Sequence, residues 1–400
     1  MKLRDLKQIG PGIMIAATGV GAGDLIAAAV AGTKFGTSLM WAAVLGALLK
    51  YTVNEGLARW QLATGSTLAE GWINHLPKWI NYYFLAYLML WSFVVAGALM
   101  GATGIAANSL LPFFSVGEWG AAHSITALVL VGLANYHWLE QVMKGLIVIM
   151  VVITFGCAIQ LLPEANISIT HFIYPTLPEN SLLFVLGIIG GVGGSVTLLS
   201  YGYWIREKQW LNQDDLTLSR IDLSVGYLLT ALFGIAIIIV ASAANPEMAK
   251  GTGIILALAS KLGSVMGDTA KWIFLTGVWA AMFSSMIGVW NGIPYIFSDL
   301  MKHQIIKNKL TPKQSYHYFL CFLAIPPLVL LLADRPIWLI IIYAVTAAFF
   351  MPFLAATLLY LNNRKLSVKQ LKNGIITNLL LISALLLFLF LFGKKVADYF

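Results

Sequence analysis

Very few side chains in this sequence could do chemistry, and most of them lie inside apolar runs. Asp24 sits in an uninterrupted apolar stretch from 10 to 32. A charge held in hydrocarbon costs a few kcal/mol or more, so an ionisable group there is read first as functional. The plainer alternative is a protonated Asp24 bonded to loose backbone. Lys50 lies near the centre of the run 38–62. A lone ammonium at that depth needs an anion, which is either Asp24 or an anionic solute. Lys50 shares a helical face with Asn54, and Glu55 shares one with Arg59. The second pair falls nearer a loop and reads as structural. Ser284 and Ser285 offer two adjacent hydroxyls, for an ion or for plain helix packing. No His, Cys and carboxylate group at a catalytic spacing, so the sequence does not read as an enzyme. No cofactor is implied. Cys157 and Cys321 both lie in apolar runs and read as packing thiols.

These groups must be positioned by helices in lipid. The chain is 59% hydrophobic and 10% charged, with mean hydropathy +0.83; a soluble domain carries about 25% charged residues. Runs long enough to cross a bilayer core, roughly 20 residues each, fall at 10–32, 38–62, 80–110, 119–137, 143–162, 182–206, 221–243, 271–299, 316–333, 336–361 and 374–393. That pattern predicts about eleven spans in one transmembrane domain over 1–400. The net charge of +8 does not imply nucleic acid. Lys302, Lys307, Lys309 and Lys313, then Arg364, Lys365, Lys369 and Lys372, fall in loops on the same side as the N-terminus. That bias places the N-terminus in the cytoplasm, in a multi-pass protein of a bacterial inner membrane. The opening MKLRDLK reads as a retained end, not a cleaved signal.

Two glycine clusters stand in apolar runs five spans apart. They are Thr18-Gly19-Val20-Gly21-Ala22-Gly23-Asp24 and Gly190-Gly191-Val192-Gly193-Gly194-Ser195. Glycine weakens a helix by up to about 1 kcal/mol relative to alanine. One such cluster would suit close helix packing. Paired clusters in halves of opposite topology point instead to two interrupted helices around a midplane solute site. Irregular backbone at that depth must line protein or a cavity, so free carbonyls near Gly21 and Gly191 would serve as hard oxygen ligands.

Several segments resemble the Nramp family of divalent-metal transporters. They are Gly10-Pro11 with the first break, Gly32-Thr33-Lys34-Phe35-Gly36, and Arg59 with Ala63-Thr64-Gly65. Further along come Gly187-Ile188-Ile189-Gly190, Phe283-Ser284-Ser285 and Met351-Pro352-Phe353. The resemblance implies an all-α LeuT-type fold with a 5+5 inverted repeat, at about 9–163 and 180–362, and an extra helix at about 373–395. Spans one and six would be interrupted. The substrate site would then comprise Gly21, Ala22, Gly23, Asp24, Gly191, Gly194 and Ser195. Lys50, Asn54, Ser284, Ser285 and Tyr201 would be coupling or ion positions.

The site departs from the family pattern. The family's Asp-Pro-Gly-Asn is Gly21-Ala22-Gly23-Asp24 here, and its Met-Pro-His is Gly194-Ser195-Val196. A family histidine falls at Tyr201. Acids expected on span three for proton movement are missing between Trp79 and Leu111. Three readings follow. The first is a secondary transporter of a divalent cation such as Mg2+ or Mn2+, with Asp24 as metal ligand, coupled to H+ or Na+. The second is a transporter of a small carboxylate or zwitterion held by Lys50. The third is a sensor that kept the fold without transport. The expected partners are the lipid bilayer and a small solute, with no protein partner.

Overall fold

A computed structural model describes residues 9–190, 195–244, 253–302, 310–333, 336–364 and 372–397. Among these residues all regular structure is helical. Seven helical stretches are long and apolar enough to cross a membrane. These seven stretches, found among the described residues, do not confirm the sequence count of about eleven, since the first and sixth spans are cut into shorter pieces. Gly23–Thr64 counts as one stretch, and helices of 27 and 23 residues stand at Pro336–Asn362 and Ile375–Ala397, where the last two spans are expected.

The first span is two helices, α1 (Pro11–Gly19) and α2 (Ala22–Phe35). Pro11 stands in the first turn of α1, where its missing N–H costs nothing. The expected break spanned Gly19 to Asp24; only Val20 and Gly21 lie outside both helices. A short 3-10 turn leads to α3 (Met40–Thr64), which stops at Gly65 with a left-handed φ of 69°, a common helix terminator. Next come α4 (Leu68–His75), α5 (Lys78–Leu110), α6 (Val116–Leu133) and α7 (Tyr136–Leu161). The short α4 was not anticipated; reciprocal bonds between Thr67 and Glu70 cap it.

The sixth span is also divided. α8 (Leu182–Gly190) precedes residues 191–194, which lie outside the described residues together with the expected ligands Gly191 and Gly194. Helical structure resumes as a 3-10 turn at Val196–Leu199 and continues as α9 (Ser200–Glu207). The chain continues through α10 (Leu216–Ala244), α11 (Gly253–Met266), α12 (Asp268–Lys302), α13 (Pro312–Ala324), α14 (Pro336–Asn362) and α15 (Ile375–Ala397). The expected helix 316–333 stops early. Pro326 and Pro327 lack backbone N–H groups, and Pro326–Ala333 forms a 3-10 helix instead.

α12 is the central post: 78% of its apolar window is buried, against 22% for the peripheral α6. α1 packs against α7, α10 and α12, while α2 packs mainly on α10. At the α1–α10 crossing the two backbones approach closely. A Cβ on Gly226 would meet the Gly12 carbonyl oxygen at 2.2 Å, and one on Gly12 would meet the Asp222 carbonyl oxygen at 2.1 Å.

Gly226→Ala should therefore lower the thermal midpoint in detergent, by an overpacking cost of about 1–3 kcal/mol. Gly145→Ala on α7, where a Cβ meets nothing within 4 Å, should be neutral or slightly stabilising. Equal midpoints for the two variants would refute close backbone approach at this crossing.

Candidate substrate site at the interrupted helices

The end of α1 shows how the interruption is tolerated. The last carbonyls of a helix lack intrahelical partners, and in an apolar interior they must find others. Ala16 O accepts from Val20 N at 2.8 Å, and Gly19 O accepts from Gly21 N at 2.9 Å. Ala17 O accepts from the Ser284 hydroxyl at 2.9 Å, and Thr18 O accepts from the Ser285 hydroxyl at 2.7 Å. The carbonyls expected to be free near Gly21 therefore have partners at Ala16 through Gly19. Gly21 O also accepts, from Leu25 N at 3.1 Å. Each carbonyl keeps a second lone pair for a further donor or cation. Gly288 lets α12 approach this closely, because a Cβ there would meet Thr18 Oγ1 at 1.8 Å.

Past the gap, Gly21 is extended, with φ −111° and ψ −161°, and caps α2. Ala22 and Gly23 begin that helix, and Asp24 lies in its first turn. The positive end of a helix favours a carboxylate there. Asp24 is 8% exposed, and neither of its oxygens has a hydrogen-bond partner. Lys50, 2% exposed, places Nζ 3.9 Å from Asp24 Oδ1. That is an ion pair short of hydrogen-bond contact. A cavity of about 20 Å³ opens between them, lined also by Val20, Ile188, Thr230 and Phe233. It has room for about one water molecule or one bare cation.

The other expected positions separate. The Asn54 amide, one turn from Lys50 on α3, donates to the Tyr227 hydroxyl at 2.9 Å. Ser195 is buried, extended, and 3.2 Å from Thr197 Oγ1 at the start of the helical turn leading to α9. Tyr201 is buried away from Asp24 and donates to Asp222 Oδ2 at 3.0 Å. Glu55 bonds Arg59, as anticipated, and also Arg220 from α10. Three participants were missed. Phe233 on α10 is apolar, and the Thr230 hydroxyl bonds back to Gly226 O at 3.0 Å within its own helix, so neither marks a cavity wall in the sequence. Asp222 has a polar signature, a carboxylate at the edge of the run 221–243, but Arg220 beside it reads as a loop charge.

A pair of membrane helices broken at corresponding places, with a buried carboxylate at one gap, is the architecture of a membrane transporter. Residues 12–397 match the family described as Natural resistance-associated macrophage protein-like, and the chain belongs to that family, Nramp. Its members are transporters and not enzymes. An uncharacterized protein of Pasteurella multocida is 22% identical over 325 residues, covering 77% of this chain and 73% of that protein. The divalent metal cation transporter MntH of Verminephrobacter eiseniae is 24% identical over 302 residues, 71% of this chain and 66% of that protein. The crystal structure of a mutant Eremococcus coleocola manganese transporter superposes with a TM-score of 0.78. It is 17% identical and covers 99% of this chain and 88% of that one. The fold is accordingly the LeuT-type inverted repeat.

The Asp24–Lys50 contact has a thermodynamic signature. Removing one member strands a buried charge, a loss of about 3–5 kcal/mol, so Asp24→Asn and Lys50→Met should each be destabilising. The double variant should regain part of the loss. A double-mutant cycle on thermal unfolding reads the coupling, and additive single effects would show no interaction.

Proposed function

We propose that this protein is a secondary-active transporter of a divalent metal cation, with Asp24 as the charged ligand. The observation that carries the reading is Asp24 itself. Both carboxylate oxygens are buried without hydrogen bonds, beside a helix gap and facing a cavity of single-ion size. Membership of the family, and likeness to proteins named as divalent metal and manganese transporters, support a metal as cargo. The N-terminus faces the cytoplasm on this reading, because the basic loops lie on its side.

The remaining ligands are hard. Backbone carbonyls, Asp24 and water suit Mg2+, Ca2+ or Mn2+. A glycine at 194 supplies no thioether to favour softer metals. Lys50 competes with the cargo for Asp24, so the ammonium has to move aside or be outbid when a cation enters. The carboxylate-transport reading needs Lys50 free to meet a solute. Its ammonium already faces Asp24 at 3.9 Å, which favours the cation.

Proteoliposome uptake tests this directly, with Mg2+, Ca2+, Mn2+ and a panel of small carboxylates run in parallel. Cation uptake should be abolished by Asp24→Asn and spared or raised by Lys50→Met. Carboxylate uptake lost on Lys50→Met and kept on Asp24→Asn would replace this reading with the second one.

Selectivity gives an independent check. The unmodified protein should discriminate little between Mn2+ and Mg2+. Gly194→Met should raise Mn2+ and Cd2+ affinity, read by calorimetry, because it restores a soft ligand. Tight, selective Mn2+ binding without that substitution would contradict the hard-ligand site.

A further inference from the structure

We infer that Asp222 is a proton-binding site, and that its carboxylate latches the cytoplasmic half of the first broken helix shut. Asp222 is fully buried on α10. Its Oδ1 accepts from Gly10 N at 2.9 Å, and its Oδ2 accepts from Gly12 N at 2.6 Å and from the Tyr201 hydroxyl at 3.0 Å. One carboxylate thus holds the first amides of α1 and, through Tyr201, the α9 half of the second broken helix. The helix N-terminus and three donors all favour the anion.

The charged and titratable surroundings are defined. From α7 comes Glu140, whose carboxylate lies against Gly10 and pairs with Lys144 and with Lys208 beyond α9. Tyr136 also comes from α7, and Tyr201 from α9. On α10 itself, Arg220 is engaged by Glu55. Among the described residues no Lys or Arg forms an ion pair with Asp222, so its donors are neutral. A second tie reaches the same end of α1, since Lys144 Nζ donates to Ile9 O at 2.8 Å.

Protonation changes the donor count. A neutral carboxyl carries an O–H on one oxygen and cannot accept there as the anion does. On Oδ1 the added proton faces the Gly10 N–H; on Oδ2 it faces the Gly12 N–H or is donated to Tyr201 Oη, whose own hydrogen then turns to Ser219 at 3.0 Å. An amide of α1 loses its acceptor or the Tyr201 bond reverses, and in every case the amide bonds lose charge assistance. Proton uptake therefore favours separation of α1 from α10. By reciprocity, separation changes proton affinity by the same factor. The chain lacks carboxylates between Trp79 and Leu111, so Asp222 supplies a titratable group elsewhere. Its place in the cycle rests on the transporter reading, but the latch itself does not require a metal.

The test uses the full chain in inside-out vesicles without added metal, with Cys157→Ser and Cys321→Ser as background. Met14→Cys on α1, a buried position, reports opening through its rate of labelling by an impermeant maleimide. Each rate is divided by that of the SDS-unfolded protein at the same pH. In the parent, normalised labelling should rise as pH falls from 8 to 5. Asp222→Asn should label roughly tenfold faster at pH 8 and lose the pH dependence. Tyr201→Phe keeps the acid but removes one donor to the anion, and should move the midpoint upward by about one pH unit. It decides the matter even if Asp222→Asn does not fold. A flat profile in the parent, an Asn variant with the parent's profile, or an unmoved midpoint in Tyr201→Phe would overturn the assignment. Labelling that behaves as expected while cation uptake is absent would fault the cargo reading alone.

Discussion

A helix interrupted inside an apolar interior must find partners for the backbone groups it uncovers, and the site here depends on that requirement. Two serine hydroxyls from α12 supply the partners at Ala17 and Thr18. An unsatisfied buried carbonyl costs about 1–3 kcal/mol, so each hydroxyl offsets a substantial penalty. The serines reach the carbonyls only because Gly288, one turn further along, lets α12 lie against Thr18. With α1 ended in this way, α2 restarts after two residues, and its first turn sets Asp24 toward α3 and α10. The carboxylate's place is a consequence of backbone accounting.

Charge is arranged differently at one end of this frame and beside the helix gap. Toward the end that carries the α1 N-terminus, buried acids each meet two bases: Glu55 with Arg59 and Arg220, Glu140 with Lys144 and Lys208, Glu70 with Arg206 and Lys302. The Glu55 and Glu140 groups each join an i,i+4 pair on one helix to a base from a distant segment, and the Glu70 group ties three separate helices. Such clusters contribute specificity of assembly more dependably than net stability, since desolvation cancels much of the attraction. Beside the helix gap there is a single acid with a single base, and no hydrogen bond joins them. The end clusters are satisfied, whereas the central pair retains capacity for a third charge.

Much of this was legible in the sequence, because the bilayer imposes length and composition on every span. The gap between α1 and α2 was visible in its glycines, while the sequence left Lys50 open between Asp24 and an anionic solute, and the structure sets it 3.9 Å from Asp24. Ser284 and Ser285 stood out as a hydroxyl pair, although their hydrogens go to carbonyls. What could not be read was contact between elements far apart in the chain. Asn54 turns to Tyr227 and Tyr201 turns to Asp222, and neither choice has a local cause. Helix periodicity says which residues share a face; it does not say which helix that face meets. The early end of α13 is another case, since the paired prolines were visible but hydropathy alone continued the helix.

The Asp24–Lys50 pair also bears on how membrane voltage acts on the carrier. An elementary charge moved across the full field exchanges about 2.3 kcal/mol per 100 mV. Side by side at 3.9 Å, the carboxylate and the ammonium form a dipole with no net charge. An empty carrier that reorients with this pair intact moves little charge, and its return is nearly indifferent to the membrane potential. On the proposed reading, a divalent cation bound beside Asp24 would add two positive charges to the same site, so the loaded step would respond to the field. Lys50 would thereby assign the electrical work of the cycle to the loaded half.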